Sequence, residues 1–311
     1  MKKKIDVGEL KSRIKRFLFG MKFMDGFIFK FVIYILLISF SYIYLYPVLY
    51  MLINSFKTVD DLINPGVRWV PTVFEWENYT RAFQVLEFPQ SIFDTTWYVL
   101  KVSIGATVAA SIIGYGFARF KFPGKKILFG IMLATFILPS QVTMVANMII
   151  YKRLDIMSTE WTMLLPAITG QGINAAIFIL IFYQFYKTIP TVLMESAEVD
   201  GASQFRIFRT IALPLALPSF LIVFLFSFVW YWNETFITAL YVGGAVTLPL
   251  KLQAFRASYE LLFPPGTAGA ELNEAIMMAG NMVTILPLLV LYFVAQRYFT
   301  ESIDRTGITG E

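Results

Sequence analysis

Long apolar runs without a single charged residue recur along this chain, separated by short polar or basic stretches. The uninterrupted ones cover residues 31–56, 127–151, 161–186, 210–233 and 275–296. An α-helix rises 1.5 Å per residue, so each is long enough to cross a hydrocarbon layer about 30 Å thick. A weaker run, 102–118, reaches that length if Lys101 extends its ammonium to the interface. The pattern predicts an all-α polytopic membrane protein with six transmembrane helices and both termini on one side.

Charge placement orients it. With the N-terminus inside, the inner segments hold the basic N-terminal cluster, then Arg119, Lys121, Lys125, Lys126, Lys187, Arg206, Arg209, Arg297 and Arg305. The outer segments hold fewer cations: Lys57, Arg68, Arg81, Lys152, Arg153, Lys251 and Arg256. Inner loops carry the Lys/Arg excess, so the chain is expected to lie N-in, C-in. Residues 1–26 form a basic cytoplasmic segment in which Leu10, Ile14, Phe17, Leu18 and Met21 recur at helical spacing. That suits a helix lying in the inner interface against anionic lipid, with an unstructured basic tail as the plainer alternative. The apolar run that follows is too long for a cleaved signal and lacks a small-residue cleavage site. A membrane domain over 27–299 and a cytoplasmic tail over 300–311 complete the chain.

Composition narrows the chemistry. The chain is 57% hydrophobic and 15% charged, and it has no Cys and no His. Ser-His and Cys-His nucleophiles, thiolate sites and the commonest metal ligand are therefore excluded, and no catalytic residue, metal site or cofactor is expected in this chain. No basic groove for nucleic acid is visible. The carboxylates that remain lie mostly in loops and make no convergent pair, which disfavours a membrane enzyme.

The inner connection at 188–209 is unlike an ordinary loop. Pro190 and Thr191 are helix-start residues and Gly201 is a helix stop, with Glu195, Glu198 and Asp200 among small and apolar side chains between them. Ser203 can cap a second short helix carrying Phe205, Arg206, Phe208 and Arg209. A helix–Gly–helix elbow of this kind could dock a soluble partner; an amphipathic linker would have the same pattern.

The string Glu195-Ser196-Ala197-Glu198-Val199-Asp200-Gly201-Ala202, followed by Ile211-Ala212-Leu213-Pro214, resembles the EAA motif of ABC importer permeases. Ser196 departs from the family's alanine, a small-for-small exchange. The segment from Tyr115 to Lys125, Trp69 with Pro71, Asn78-Tyr79, Trp232-Asn233-Glu234 and Thr247-Leu-Pro-Leu250 are similar to the carbohydrate (maltose-type) branch. Glu301 to Glu311 departs from the Gly-rich basic ending of that branch. The resemblance implies a type I ABC importer permease whose coupling helix seats in a cytoplasmic ATPase through Glu195, Ala197, Asp200, Gly201 and Ala202. It implies four kinds of partner: a second homologous permease, two ATPase subunits that bind ATP and Mg, an extracellular or periplasmic sugar-binding protein, and bilayer lipid. The host membrane would be a bacterial or archaeal cytoplasmic membrane. No G-x-x-x-x-G-K-[S/T] phosphate loop occurs here, consistent with a separate ATPase chain.

Polar residues inside spans should face a cavity or a neighbouring helix. Asn147, Asn174, Gln141, Gln171 and Asn281 are such residues, and Trp230, Tyr231, Trp232, Asn233 and Glu234 form the densest aromatic–polar cluster. Aromatic faces beside amides and an acid suit a sugar ring, and they equally suit an interfacial aromatic belt. Pro139, Pro166, Gly170, Gly172 and Pro287 interrupt spans, as broken helices on transport pathways do. The outer loop 243–273 is placed to meet a substrate-delivering protein. The alternative, an ion-coupled secondary sugar transporter, would usually show inverted repeats and several intramembrane charges, and only Glu234 comes close. Malto-oligosaccharides, cello-oligosaccharides and plant-polysaccharide fragments all remain open as cargo.

Overall fold

Proline and glycine decide where the apolar runs stay straight and where they turn. The computed structural model describes residues 17–18, 26–244, 246–267 and 269–305, with side chains as far as Gln296. The interfacial helix expected within 1–26 falls outside the described residues except for 17–18 and 26, as does the tail beyond Arg305. The described residues are helical and contain no strand.

In chain order the helices are α1 (Phe27–Asn54), α2 (Val59–Ile63), α3 (Glu77–Val85), α4 (Gln90–Arg119), α5 (Lys125–Ile137), α6 (Ser140–Arg153) and α7 (Trp161–Ile168). There follow α8 (Ala175–Thr188), α9 (Thr191–Val199), α10 (Gln204–Leu215), α11 (Leu217–Asn233), α12 (Phe236–Tyr241), α13 (Leu248–Gln253), α14 (Phe255–Leu262) and α15 (Glu274–Arg305). Helices α1, α4 and the Glu274–Gln296 part of α15 are each long and apolar enough to cross a membrane. Three bent pairs reach that length and composition together: α5 with α6, α8 with α9, and α10 with α11.

The run 127–151 is therefore not one straight rod: α5 and α6 meet at 103°. Leu138 precedes Pro139, which disfavours its helical conformation, and it is extended at φ −73°, ψ 120°. Ile189 before Pro190 behaves alike, at φ −67°, ψ 126°, and α9 turns off α8 by 73°. The run 161–186 is interrupted at 169–174, where Gly170 and Gly172 lie between α7 and α8. Pro287 stays inside α15 without breaking it.

Contacts divide the chain into two units, Met1–Asn78 with Asn273–Ala279, and Tyr79–Leu272 with Gly280–Glu311. In the first, α1 buries only Asn54, and the segment after it is knitted by its own polar groups. The Asn78 amide donates to the Ser55 and Lys57 carbonyls at 3.0 Å each.

In the second unit α4 is central and packs along α8, α11 and α7. Its buried face is made of small residues, among them Ser103, Ala106, Thr107, Ala110, Ser111 and Gly114. Lipid gives helices no hydrophobic reason to associate, so close packing across small residues must hold them. A Cβ on Gly114 would stand 2.7 Å from the Phe182 Cβ and 3.0 Å from the Ile179 carbonyl oxygen. Some hydroxyls on α4 find partners across or along the helix: Thr95 and Thr107 donate to the carbonyls of Ser91 and Ser103, and Ser111 pairs with the Tyr186 hydroxyl at 2.7 Å. The Lys101 ammonium meets the Glu160 carboxylate at 2.6 Å, just ahead of α7, and lies over the Trp97 ring.

Candidate functional site

The break at 169–174 opens a cavity of about 600 Å³ between α6, α7, the end of α11 and α12, a volume within the range of ligand sites. Backbone conformation builds its wall. Gly170 adopts φ +74° and Asn174 φ +56°, ending α7 and starting α8 in a new direction. Gln171 closes the turn, its N–H donating to the Pro166 carbonyl at 2.8 Å. The Tyr231 hydroxyl on α11 accepts the Ile173 N–H at 3.0 Å. Gly172 leaves the room for that hydroxyl, since any Cβ there would collide with it.

Polar groups converge on the space. Asn147, Thr143 and Ser140 come from α6, Asn174 and Gln171 from the break, Tyr231 and Glu234 from the end of α11. The Glu234 carboxylate accepts the Ile237 N–H and so caps α12. On the α12 side the Tyr241 hydroxyl donates to the Met144 carbonyl at 3.1 Å, and its ring stands edge-on to Tyr151. Burial pushes the Tyr241 hydroxyl above its ordinary pKa, with a hydrogen bond to Asn147 acting the other way. Among the described residues no lysine or arginine lines the cavity, and Glu234 is its one carboxylate.

Of the aromatic–polar cluster, then, the cavity takes Tyr231 and Glu234. Consecutive helix residues point about 100° apart, so five in a row cannot share one face. Trp230 packs against Phe178 with ring centroids 5.3 Å apart. Trp232 is 1% exposed and stacks on Phe228. Asn233 is exposed and its amide donates to the Val229 carbonyl of its own helix. Asn147 and Asn174 both line the cavity, whereas Gln141 and Asn281 do not. Sequence reasoning missed Tyr151 and Tyr241. A tyrosine in an apolar run gives no polar signal, and only the 103° turn between α5 and α6 brings α6 alongside α12.

At the far end of α8 the expected short helix forms as α9. The Arg119 guanidinium, at the end of α4, donates to the Ile189 carbonyl at 2.6 Å and ties down the corner. Met194 is the buried residue of α9, and the Tyr115 hydroxyl approaches its sulfur at 3.8 Å. Tyr115 also packs on Tyr186 and Phe208, so an aromatic cluster backs the corner. Glu195, Asp200 and Gly201 face outward, while Ala197 and Ala202 pack against the core. Gly201 adopts φ +78° with open space where a Cβ would be, so backbone conformation alone asks for glycine there. The Ser203 hydroxyl oxygen accepts the Arg206 N–H, the expected cap. Val192, Leu193, Val199 and Phe205 are exposed on the same elbow.

Residues 106–305, which include both the cavity and the elbow, match the family described as the binding-protein-dependent transport system inner membrane component. The chain belongs to this family. It is thus the pore-forming membrane subunit of an ABC importer, a permease whose ATP is hydrolysed on another chain, and the ion-coupled transporter is set aside. The permease is 26% identical over 281 residues to the osmoprotective compounds uptake permease protein GgtD of Synechocystis sp., covering 88% of this chain and 90% of that one. It is 27% identical over 276 residues to the arabinooligosaccharides transport system permease protein AraQ of Bacillus subtilis, covering 87% and 92%. A solved bacterial ABC transporter involved in the import of the acidic polysaccharide alginate shares the fold, with a TM-score of 0.69 at 19% identity over 88% of this chain and 96% of that one.

Proposed function

We propose that this permease moves uncharged oligosaccharides inward as one half of the pore of an ATP-driven importer. It lies N-in, C-in with six spans, residues 27–299 forming the membrane domain between a cytoplasmic basic segment and a cytoplasmic tail. Its partners are a second homologous permease, two ATPase subunits that hold ATP and Mg, and an external sugar-binding protein. The loop 188–209 is the coupling element. Glu195, Asp200 and Gly201 meet the ATPase, and Ala197 and Ala202 seat the helix against the permease core.

The observation that carries this reading is the corner between α8 and α9. An outward-facing acidic helix stands on a packed aromatic base and is tied to α4 through Arg119, so a push on α9 is delivered to the helices behind it. ATP binding must favour one pore state by differential contact, and α9 is where such a bias would enter. Support for a sugar comes from the cavity: amides, hydroxyls and tyrosine rings with no cation. Anionic sugars would meet Glu234 and no lysine or arginine, which favours neutral ones. Asn147, Asn174, Tyr231 and Glu234 would contact the cargo, while Trp230, Trp232 and Asn233 support the pathway wall from behind. The arabinooligosaccharide relative is in keeping with such a cargo.

Proteoliposomes containing the assembled transporter, with ATP inside and loaded binding protein outside, should accumulate a labelled neutral oligosaccharide. Glu195→Arg should stop uptake without disturbing assembly. Uptake that persists with a catalytically dead ATPase would sink the reading.

A further inference from the structure

Two hydroxyls lie buried behind the cavity wall with nothing to bond. Tyr98 on α4 is 8% exposed and Thr238 on α12 is 0% exposed. Neither side-chain oxygen has a hydrogen-bond partner among the described residues. Neighbouring contacts bring the two together. Lys101, one turn after Tyr98, holds Glu160, and the Tyr241 carbonyl, one turn after Thr238, accepts the Ser158 N–H at 2.9 Å. The segment 158–160 thus ties α4 to α12 at this level. The Thr238 hydroxyl stands close enough to act on the Tyr98 phenol, as do the carboxylates of Glu234 and Glu160, yet no hydrogen bond joins phenol and hydroxyl.

Local escape is closed to both. A serine such as Ser91 or Ser103 can turn its hydroxyl to a carbonyl of its own helix, but a phenol oxygen stands too far from its main chain to do so. Thr238 would ordinarily use the carbonyl four residues back. That residue is Glu234, which is extended at φ −75°, ψ 106° and lies ahead of α12. The carbonyl three residues back, on Thr235, already accepts the Ala239 N–H. Unpaired hydroxyls are unfavourable in an apolar interior, and internal waters relieve such groups by making about three hydrogen bonds each. A third partner is at hand. Glu234 uses Oε1 on the Ile237 N–H and has Oε2 to spare, whereas Lys101 takes both oxygens of Glu160.

We propose that one water molecule is bound between α4 and α12, accepting the hydroxyl protons of Tyr98 and Thr238 and donating to the Glu234 carboxylate. It belongs to the fold and not to the open cavity, since neither Tyr98 nor Thr238 borders the cavity space. By bridging α4 to α12 it seats the short helix that carries Tyr241 and holds Glu234 from behind. The site does not depend on what the permease carries.

Cryo-electron microscopy of the assembled, nucleotide-free transporter, at a resolution that shows ordered water, tests this directly. Density is expected within hydrogen-bond distance of the Tyr98 and Thr238 oxygens, and it should vanish in Tyr98→Phe. Bare hydroxyls, or a Tyr98 hydroxyl bonded directly to Thr238 or to another protein group, would overturn the proposal. The map of the unaltered transporter decides by itself, so a variant that fails to assemble leaves the test intact. A mutational cycle adds a second measurement. Tyr98→Phe and Thr238→Val should each lower the unfolding midpoint, and the double variant should lose clearly less than the two losses together, because both empty the same site. Additive losses would mean that the two hydroxyls share nothing, and the water site would be wrong.

Discussion

The Tyr231 hydroxyl accepts the backbone N–H of Ile173, so a residue of α11 holds open the break between α7 and α8 from 58 positions away. That bond joins the wall of the cavity to its floor. Tyr231 thereby serves both shape and lining, because it also borders the space where Asn174 and Glu234 converge.

Tyr231→Phe keeps the ring packing and removes the acceptor. Leaving the Ile173 N–H unpaired should lower stability by about 1–3 kcal/mol, seen as a lower unfolding midpoint of the purified transporter. Uptake should fall more than the loss of assembled protein accounts for.

Gly114 and Gly116 lie two residues apart on α4 and predict opposite results. Gly114→Ala forces a methyl onto Phe182 and the α8 backbone, an overpacking cost of about 1–3 kcal/mol. Gly116→Ala meets nothing within 4 Å and should be near neutral. Thermal unfolding of the two variants in one detergent separates them.

Gly201→Val places a β-branched residue at φ +78°, a strain of roughly 1–2 kcal/mol. It should swing α10 away from α9 and abolish ATP-driven uptake while membrane insertion persists. Gly201→Asn, which tolerates the left-handed conformation, should restore part of the uptake. Equal uptake by all three proteins would remove the elbow from the coupling path.

Arg119→Met frees the Ile189 carbonyl and cuts the tie between α4 and the start of α9. ATP hydrolysis should continue while sugar moved per ATP falls, read by measuring both in the same proteoliposomes.

Asp61 titrates in the loop after α1. The Thr72 hydroxyl, first of all, and the Thr72 N–H and Lys57 after it hold its carboxyl below the usual value of 3.8, against a smaller opposing push from burial. Because the folded pKa is lowered, this stabilisation is fully present above the unfolded value and is lost as pH falls through the folded one. A spin label on Val70→Cys should therefore be unchanged through neutral and mildly acidic pH and gain mobility only in strong acid. Asp61→Asn should remove that step.

Charge-free length, the Lys/Arg pattern and the elbow between Pro190 and Gly201 were all readable along the chain, because each depends on neighbours in sequence. The helix α9, its glycine stop and the Ser203 cap formed as local rules require. The aromatic–polar cluster was only partly legible. Composition puts Trp230 through Glu234 together, but helical rotation spreads them over three faces.

Hydropathy and the elbow by themselves determined a polytopic membrane chain with a helical corner outside the apolar runs, since burial of apolar length and the φ preferences of Pro and Gly are local matters. Tertiary structure alone decided which polar residues share a cavity, that Arg119 anchors the corner, and that the loop after α1 turns Lys57 and Asp61 inward. Those depend on bends of 73° and 103° and on contacts between distant residues, which no run of neighbours encodes.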